Sequence, residues 1–549
     1  MNESLNALFE ASFKKHWDRP ALSDYRGVTL HYRDVARKIE KMHIIFEQCG
    51  LKKGDKIAIC SKNMAHWGVA FLASLTYGAV AVPILHEFKS GNIHHIVNHS
   101  DARILFVGDV MWEGLSESEM PGLEAVIKVN DFSMLYARDE KIYEARETLN
   151  ALFGAKYPKN FRPEHISYHR DEREEVALIN YTSGTSGFSK GVLVPYRALL
   201  SNINFAGIAY PEVNSESRIV SMLPTAHMYG LMFEFLYEMT RGAHVNFLTR
   251  VPSPKIIMEA FADVKPNIII SVPLVIEKIY KKKLQPIIQK KPMRVFMHLP
   301  ILDKVIEKKI LTELVNTFGG NFKEIIIGGA AFNKEVEAFF RRINFPFTVG
   351  YGMTECAPII CYAPWDQQRL YSCGKAAPGM QVKIESTDPE NIPGEILVKG
   401  DNVMLGYYKN EASTKAVFTD DGWMKTGDMG VMDADGYLYI KGRSKSMILG
   451  PSGQNIYPEE IESIINNMPH IVESLVVDNG GQITALVVPD FESAESAGIS
   501  KADIEPKIKE TIELVNQELP NYSKITSFKI YPEEFEKTPK RSIKRYLYQ

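Results

Sequence analysis

The first third of the chain alternates between helix-type and strand-type patterns, and this alternation limits the fold more than any other feature. Tyr32 to Cys49 and Ala65 to Thr76 have helical patterns, whereas Lys56 to Ile59 and Ala79 to Ile84 are short apolar runs typical of buried strands. Strands that alternate with helices form βαβ units, in which each helix returns the chain to a parallel neighbouring strand. We therefore predict an α/β fold built on largely parallel sheets.

The rest of the chain divides into three further stretches. The alternation continues to about residue 330, and because a single core stops growing at a few hundred residues, two doubly wound sheets account for this length better than one. After Pro378–Gly379 the strands are short and separated by turns, which predicts a small β-barrel. From about Arg443 onward a separate, small α+β unit is expected. We predict an N-terminal domain of residues 1–442 and a C-terminal domain of residues 443–549.

The charge balance limits the class of partner. The chain has 549 residues, with Lys+Arg 64 and Asp+Glu 67, a net charge of −3. There is no global positive field to attract nucleic acid and no strongly acidic balance to attract basic proteins. We therefore expect small-molecule partners and no nucleic acid.

The five cysteines and the apolar segments indicate a cytoplasmic protein. Cys49, Cys60, Cys356, Cys361 and Cys373 are odd in number and contain no CxxC pair, so reduced thiols and no structural zinc are expected. The N-terminus lacks a basic segment followed by an apolar core, which argues against a signal peptide. The uncharged run from Gly68 to Leu85 is broken by Gly78 and Pro83, and we interpret it as a buried helix followed by a buried strand.

A loop rich in glycines and hydroxyls follows the apolar run Val176 to Ile179. This loop, YTSGTSGFSK, extends from Tyr181 to Lys190. Glycines let the backbone approach a ligand closely, backbone N–H groups and hydroxyls donate to phosphate oxygens, and the lysine adds a positive charge. It is not the common P-loop, which needs Gly-Lys followed by Ser or Thr. It is either an anion-binding loop or a flexible linker, and the motifs further along decide between these two.

Eight motifs in order resemble the adenylate-forming (AMP-binding) superfamily, and among its members the bacterial long-chain fatty acid CoA ligases. After YTSGTSGFSKG they are LPTAHMYG, GYGMTE, GEILVKG, GYYKN, DGWMKTGD, GYLYIKGRSK and GQNIYPEEIE. The resemblance covers essentially the whole chain. It implies that a carboxylate reacts with ATP to form acyl-AMP and pyrophosphate, and that CoA then takes the acyl group as a thioester. ATP, Mg²⁺ and CoA are the cofactor and co-substrates that it implies.

The resemblance also assigns the nucleotide site. The loop would hold the β- and γ-phosphates, Thr354 would donate to the α-phosphate, and Glu355 would bind Mg²⁺ as a hard oxygen ligand. Asp428 would accept from the ribose hydroxyls and Arg443 would donate to them. The implied ATP-binding residues are Thr182, Ser183, Gly184, Thr185, Ser186, Gly187, Lys190, Gly329, Ala330, Ala331, Tyr351, Gly352, Met353, Thr354, Asp428, Ile440 and Arg443.

The acyl and CoA sites and the hinge are carried over in the same way. His227, Tyr229 and Gly328 would contact the acyl group, and Gly453, Gln454 and Asn455 would line the channel for the CoA thiol. Lys445 would be the hinge about which a mobile C-terminal domain turns between the two half-reactions. Hinge residues need only absorb a dihedral change.

The sequence departs from the family pattern near its C-terminus. Ser542 stands where the family places a lysine that bridges the acyl carboxylate and the α-phosphate. Lys540 and Lys544 are the two candidates for that catalytic lysine. The alternative is that this basic segment has no catalytic part.

The sequence is compatible with several acyl substrates and several acceptors of the acyl group. The stretch from Ser271 to Lys282 resembles long-chain ligases, which predicts a medium- to long-chain fatty acid. A fatty acyl-AMP ligase or an acyl-carrier-protein ligase is the second hypothesis, and an idle nucleotide-binding protein is the third. Basic residues near 281–294 suggest either weak peripheral contact with an anionic membrane or a solvated helix face.

Overall fold

The fold comes from a computed structural model that describes residues 4–182, 190–250, 252–284, 302–449, 454–538 and 543–548. Its strands are, in chain order, β1 (Pro20–Asp24), β2 (Thr29–His31), β3 (Lys56–Cys60), β4 (Val80–Ile84), β5 (Ala102–Val107), β6 (Ala125–Lys128), β7 (Met134–Ala137), β8 (Val176–Thr182), β9 (Lys190–Pro195), β10 (Arg218–Ser221), β11 (His244–Phe247), β12 (Ile269–Ser271), β13 (Ile325–Ile327), β14 (Phe347–Val349), β15 (Tyr351–Gly352), β16 (Ile359–Tyr362), β17 (Lys375–Ala376), β18 (Met380–Glu385), β19 (Gly394–Gly400), β20 (Gly406–Tyr407), β21 (Met424–Met432), β22 (Leu438–Arg443), β23 (Ile448–Leu449), β24 (Asn455–Ile456), β25 (Ile471–Asp478), β26 (Ile483–Pro489) and β27 (Ser527–Ile530).

The helices are α1 (Leu5–Lys15), α2 (Tyr32–Gln48), α3 (Ala65–Tyr77), α4 (Ser90–His99), α5 (Asp109–Trp112), α6 (Glu140–Glu147), α7 (Leu149–Lys156), α8 (Tyr196–Ala209), α9 (Met228–Leu231), α10 (Tyr237–Arg241), α11 (Pro254–Val264), α12 (Pro273–Lys283), α13 (Leu302–Thr317), α14 (Lys334–Arg342), α15 (Glu411–Val417), α16 (Pro458–Ile465), α17 (Phe491–Ser496) and α18 (Ile504–Glu518). A π-helix, Met232–Leu236, joins α9 to α10. No described helix is long and apolar enough to cross a membrane.

The largest sheet confirms the predicted βαβ alternation. Its strand order is β20-β9-β8-β4-β3-β5-β6-β7, and the pairs from β8 to β6 are parallel. β4 is buried along its whole length, which explains why it is an uninterrupted apolar run rather than an alternating one. The segment between Gly68 and Leu85 forms the predicted helix and strand, α3 and β4. Gly78 ends α3 with a φ of 87°, a left-handed conformation that favours glycine.

Two smaller sheets complete the α/β part of the molecule. The strand order β10-β11-β1-β2 forms one sheet, and the parallel strands β12, β13 and β14 form the other. Ligands bind in α/β sheets outside the carboxyl ends of the strands. The carboxyl end of β8 leads to the predicted phosphate loop, and those of β13 and β14 lead to Gly328 and Gly350.

The remaining strands are antiparallel or belong to the C-terminal region. β18, β19, β21 and β22 form a four-stranded sheet after Pro378–Gly379, in the region where short strands were predicted. β15, β16 and β17 form a three-stranded sheet that precedes this region. β25 and β26 form an antiparallel hairpin, and β27 pairs parallel to β26. The α/β class, with a large N-terminal and a smaller C-terminal part, is confirmed.

The hydrophobic core is divided along the chain. One buried cluster extends from Leu5 to Leu438, a second extends from Ile448 to Ile525, and a third, smaller one extends from Leu475 to Phe535. A domain has its own core. This division agrees with the predicted boundary between residues 442 and 443, which stays a proposal.

Candidate active site

The predicted phosphate loop begins and ends in two paired strands. β8 and β9 are antiparallel, and Thr182 lies opposite Lys190. The Thr182 hydroxyl lies 3.5 Å from the Lys190 carbonyl oxygen. The predicted phosphate ligands between them lie outside the described residues, and their roles stay predictions: Ser183, Gly184, Thr185, Ser186 and Gly187.

The three predicted acyl-binding residues come together. His227 precedes α9, and its Nδ1 accepts from the Tyr229 N–H at 3.4 Å. The Tyr229 hydroxyl donates to the Ile326 carbonyl at 3.1 Å. A Cβ atom at position 328 would lie 3.2 Å from the Tyr229 ring, so Gly328 allows this close packing. Their contact with an acyl group stays a prediction.

The GYGMTE motif places Thr354 and Glu355 in a tight turn after β15. A Cβ at position 352 would lie 2.3 Å from the Pro358 carbonyl oxygen, which requires the glycine found there. Thr354 is buried. Glu355 Oε1 accepts a hydrogen bond from the Tyr407 hydroxyl at 3.0 Å, and the Glu355 carbonyl accepts from the Met404 N–H at 2.8 Å. Hydrogen bonds from β20 and from the residues just before it therefore stabilise this turn.

Asp428 is buried between two donors. The Tyr351 hydroxyl donates to its Oδ2 at 2.5 Å, and Arg443 Nε lies 2.9 Å from its Oδ1. β21 and β22 set Asp428 directly opposite Arg443. Burial raises the pKa of the Asp428 carboxyl, and the positive charge of Arg443 opposes that rise. An ionised carboxylate has about four acceptor positions, so two remain for hydroxyls of a ligand.

Three of the residues predicted to bind ATP, Gly329, Ala330 and Ala331, lie shortly after β13. Gly329 has a φ of 86°, and Ala330 and Ala331, like Gly329, are exposed. Small exposed residues leave room for a flat ring. Ile440 lies on β22 with 37% of its surface exposed. Their contacts with the nucleotide stay predictions.

One cavity of about 60 Å³ joins the predicted nucleotide and acyl residues. It is lined by Phe205, Tyr210, His227, Tyr229, Phe233, Ile326, Gly328, Gly329, Gly350, Tyr351, Gly352, Met353, Thr354, Pro358, Ile359 and Tyr362. Apolar and aromatic side chains dominate this lining, with a few polar groups at one side, as in many small-molecule sites.

The aromatic end of the cavity was not identified from the sequence. Phe205 packs edge-to-face against Phe233 and Tyr362. The Tyr362 hydroxyl donates to Glu324 Oε1 at 2.6 Å, and the Trp365 N–H donates to Glu324 Oε2 at 3.0 Å. Burial raises the pKa of Glu324. A hydrogen-bonded polar pair thus lies behind the aromatic wall.

Glu355 is suited to Mg²⁺ only together with a phosphate ligand. No cluster of three or more His, Cys, Asp or Glu side chains suited to a metal occurs among the described residues. Mg²⁺ commonly uses one or two carboxylates and takes its other ligands from water and substrate phosphates. One oxygen of Glu355 beside a triphosphate fits that pattern.

The predicted hinge residue lies, along the chain, between the first buried cluster and the second, and the predicted CoA residues lie within the span of the second. Lys445 is exposed and lies two residues after the end of β22. The neighbouring Ser446 hydroxyl donates to Glu459 Oε1 on α16 at 2.6 Å. Gln454 and Asn455 are exposed at and beside β24. Gly453 lies outside the described residues.

Of the two candidate lysines, the structure describes only Lys544. Lys540, like Ser542, lies outside the described residues. Lys544 Nζ forms a salt bridge with Glu536 at 3.0 Å, and this hydrogen bond raises the lysine's pKa. Lys544 and Glu536 both belong to the C-terminal region. Lys544 is not among the described residues that line the cavity. A catalytic role for Lys544 therefore requires a different domain arrangement.

Several residues that support the site were missed by sequence reasoning. The Asn180 side chain donates to the Ala226 carbonyl at 2.9 Å, and the Asn402 side chain donates to the Ile359 carbonyl at 2.7 Å. Asn202 Oδ1 accepts from the Ile359 N–H at 3.1 Å. For Asn180 the available signal was an amide side chain within the apolar run that begins at Val176. Tyr407 belongs to the GYYKN motif, but the motif alone did not indicate a role.

Two family models match the chain in succession. One described as AMP-binding enzyme matches residues 9–408, and one described as AMP-binding enzyme C-terminal domain matches residues 445–548. The first model matches the part of the chain that holds the large buried cluster, and the second matches the part that holds the two smaller ones.

Individual proteins match over nearly the whole length. The long-chain-fatty-acid–CoA ligase FadD15 of Mycobacterium bovis is 27% identical, over 93% of this chain and 89% of that protein. The chloroplastic long-chain-fatty-acid–[acyl-carrier-protein] ligase AEE15 of Arabidopsis thaliana is 25% identical, over 96% and 81%. The crystal structure of ATP-bound MatB from Rhodopseudomonas palustris superposes with a TM-score of 0.76 at 22% identity, over 100% of this chain and 98% of that one. At this identity the structural likeness concerns the fold.

Proposed function

The chain belongs to the AMP-binding enzyme family, and on this premise we propose that it is an ATP-dependent ligase that joins a medium- to long-chain fatty acid to CoA. In the first half-reaction a carboxylate oxygen attacks the α-phosphorus of ATP, and pyrophosphate leaves with the electrons of the broken P–O bond. In the second, the CoA thiol attacks the acyl carbonyl, loses its proton, and AMP leaves.

The cavity is the observation that carries this proposal. It joins Thr354 and Tyr351, from the nucleotide motif, to His227 and Tyr229, from the acyl motif. A carboxylate at this junction would lie beside the α-phosphate, and holding both reactants in one site removes the entropy cost of their encounter.

Charged residues at the nucleotide end have separate tasks. Asp428 accepts from the ribose hydroxyls while Tyr351 and Arg443 hold it in place. Lys190 and the loop before it bind the leaving pyrophosphate, where charge develops in the transition state. Glu355 would hold Mg²⁺, which, when bound, neutralises charge on the triphosphate.

The acyl preference rests on the apolar lining and on the relatives. Each methylene removed from water contributes about 0.8 kcal/mol, so a lined tunnel favours a long chain over acetate. FadD15, which covers most of the chain, is named for a long-chain fatty acid. Because the cavity has about 60 Å³, such a chain must displace its aromatic end, which includes Phe233 and Tyr362.

The small domain serves the two half-reactions in turn. We propose residues 1–442 as the large domain, residues 443–549 as the small one, and Lys445 as the hinge. One orientation delivers Lys540 or Lys544 to the carboxylate, and the other brings Gln454 and Asn455 to the thiol. The salt bridge of Lys544 with Glu536 would have to open in the first orientation.

A carrier-linked enzyme is the second candidate. The likeness to AEE15, named as an acyl-carrier-protein ligase, supports it. Such an enzyme would form the same acyl-AMP but transfer the acyl group to a phosphopantetheine thiol on a carrier protein.

Pyrophosphate release with a panel of carboxylates tests the proposal. Acetate, octanoate, palmitate and benzoate are compared with ATP and Mg²⁺, with and without CoA. Pyrophosphate release and acyl-CoA formation with octanoate or palmitate are expected. Acyl-AMP accumulation without use of CoA would favour the carrier-linked enzyme. No turnover with any acid would contradict both ligase proposals.

A further inference from the structure

We infer that Tyr407 is a positioning residue that holds the metal-binding carboxylate of Glu355 and the phosphate-binding ammonium of Lys190 in place at the same time. This inference rests on the proposed function, because the roles of Glu355 and Lys190 come from it. Tyr407 itself need not touch ATP.

One side chain makes both contacts. The Tyr407 hydroxyl donates to Glu355 Oε1 at 3.0 Å. The Lys190 Nζ atom lies 4.8 Å from the centre of the Tyr407 ring, within the range of a cation–π interaction. The edge and the face of one ring therefore contact two oppositely charged groups.

The backbone around Tyr407 is fixed on two sides. β20 pairs antiparallel with β9, with Tyr407 opposite Val192. The Tyr408 N–H donates to the Gly191 carbonyl at 2.8 Å, and the Tyr407 N–H donates to the Thr414 hydroxyl at 2.9 Å. The strand that carries Tyr407 is thus attached to the strand that begins with Lys190.

The ring also keeps the two charges apart. In the described part of the chain Lys190 and Glu355 form no ion pair with each other, although both contact Tyr407. A lysine is a point charge on a flexible stem, and its natural partner here is a carboxylate. The tyrosine leaves the ammonium free to meet a phosphate and the carboxylate free to meet Mg²⁺.

Two substitutions separate these contacts. Tyr407→Phe keeps the ring and removes the hydroxyl, so it should disturb Glu355 alone. Tyr407→Leu removes both contacts. Tyr408→Phe is the matched control, because the neighbouring hydroxyl donates to Asp101 at 2.6 Å, away from the proposed site.

The measurement is equilibrium binding of ATP by calorimetry, with Mg²⁺ and with EDTA. Tyr407→Phe should raise the Kd for ATP with Mg²⁺ by roughly fivefold and leave the Kd in EDTA unchanged. Tyr407→Leu should raise both values, and Tyr408→Phe neither. Far-ultraviolet circular dichroism and the melting temperature establish that each variant is folded.

Several outcomes would overturn the inference. One is an equal change of Kd with and without Mg²⁺ for Tyr407→Phe. Another is a lowered melting temperature for Tyr407→Leu with both Kd values unchanged, since that indicates a purely structural role. The test needs no acyl substrate. A protein that binds MgATP but activates no acid would refute the proposed function. The Kd values of the wild type and the Tyr407 variants would still decide whether Tyr407 positions Glu355 and Lys190.

Discussion

The Tyr351 hydroxyl donates to Oδ2 of the buried Asp428 at 2.5 Å. These residues belong to motifs that are far apart in the sequence, and the hydrogen bond joins the wall of the cavity to the proposed ribose site. Because Asp428 also contacts Arg443, its orientation is held from two sides.

Tyr351→Phe should raise KM for ATP by about threefold to tenfold, because a hydrogen bond to a buried charged acceptor is lost. Initial rates of pyrophosphate release at varied ATP provide the measurement. Tyr439→Phe is the matched control, since that hydroxyl bonds to Asp433 at 3.2 Å outside the cavity. An unchanged KM would mean that the Tyr351 hydroxyl does not support ATP binding through Asp428, and a lower KM would mean that it competes with ribose for that carboxylate.

Phe233→Ala should shift the preferred fatty acid towards longer chains. Phe233 lines the cavity and packs against Phe205 and Tyr229, so its removal opens the aromatic end. We expect kcat/KM to rise for palmitate relative to octanoate. Ile208→Ala is the control, because Ile208 lies on α8 with 65% of its surface exposed. The same octanoate-to-palmitate ratio in Phe233→Ala and the wild type would argue against Phe233 as a limit on chain length.

Alanine at the catalytic lysine should suppress pyrophosphate release and spare thioester formation from preformed acyl-AMP. Lys540→Ala and Lys544→Ala are each assayed in both half-reactions, because the bridging charge is needed only while the α-phosphate reacts. Lys524→Ala, at an exposed lysine of the same domain, serves as the control. If neither candidate loses adenylation selectively, the assignment of the lysine to this segment is wrong.

Glu238→Gln should make the fold less sensitive to alkaline pH. Glu238 on α10 is buried, and burial raises its pKa from 4.5 to about 8. Between these two values the folded state binds more protons than the unfolded state, so stability falls as pH rises. This cost is fully present above about pH 8 and absent below about pH 4.5.

Urea unfolding at pH 6 and pH 9 measures this effect. The wild type should lose stability between these values by an amount on the order of a few kcal/mol more than Glu238→Gln does. A matched control is Glu172→Gln, at an exposed glutamate. Equal losses in the wild type and Glu238→Gln would show that Glu238 keeps an ordinary pKa.

Co-sedimentation with anionic vesicles tests the membrane hypothesis. Of the basic stretch near 281–294, the described part ends at residue 284, so this expectation still rests on the sequence. Lys290→Glu combined with Lys291→Glu should weaken binding to phosphatidylserine vesicles at low salt. Lys501→Glu, at an exposed lysine far along the chain, is the control. An absence of wild-type binding at low salt would remove the hypothesis.

Local patterns predicted the secondary structure correctly where buried apolar runs are bounded by residues that favour turns. The β3, α3 and β4 succession follows from buried apolar runs separated by Gly78, and the β25–β26 hairpin follows from Asn479-Gly480. The cavity's aromatic end could not be predicted in this way. Phe205, Phe233 and Tyr362 lie on separate elements, and only packing brings them together.

The sequence by itself determined the family and the order of the nucleotide motifs, because phosphate and ribose binding depend on short stretches with defined spacing. The tertiary structure alone decided how those stretches meet. Glu355 and Tyr407 are 52 positions apart, and Lys190 reaches the same ring only because β9 pairs with β20. Such contacts depend on long-range strand pairing and side-chain packing, which no local pattern encodes.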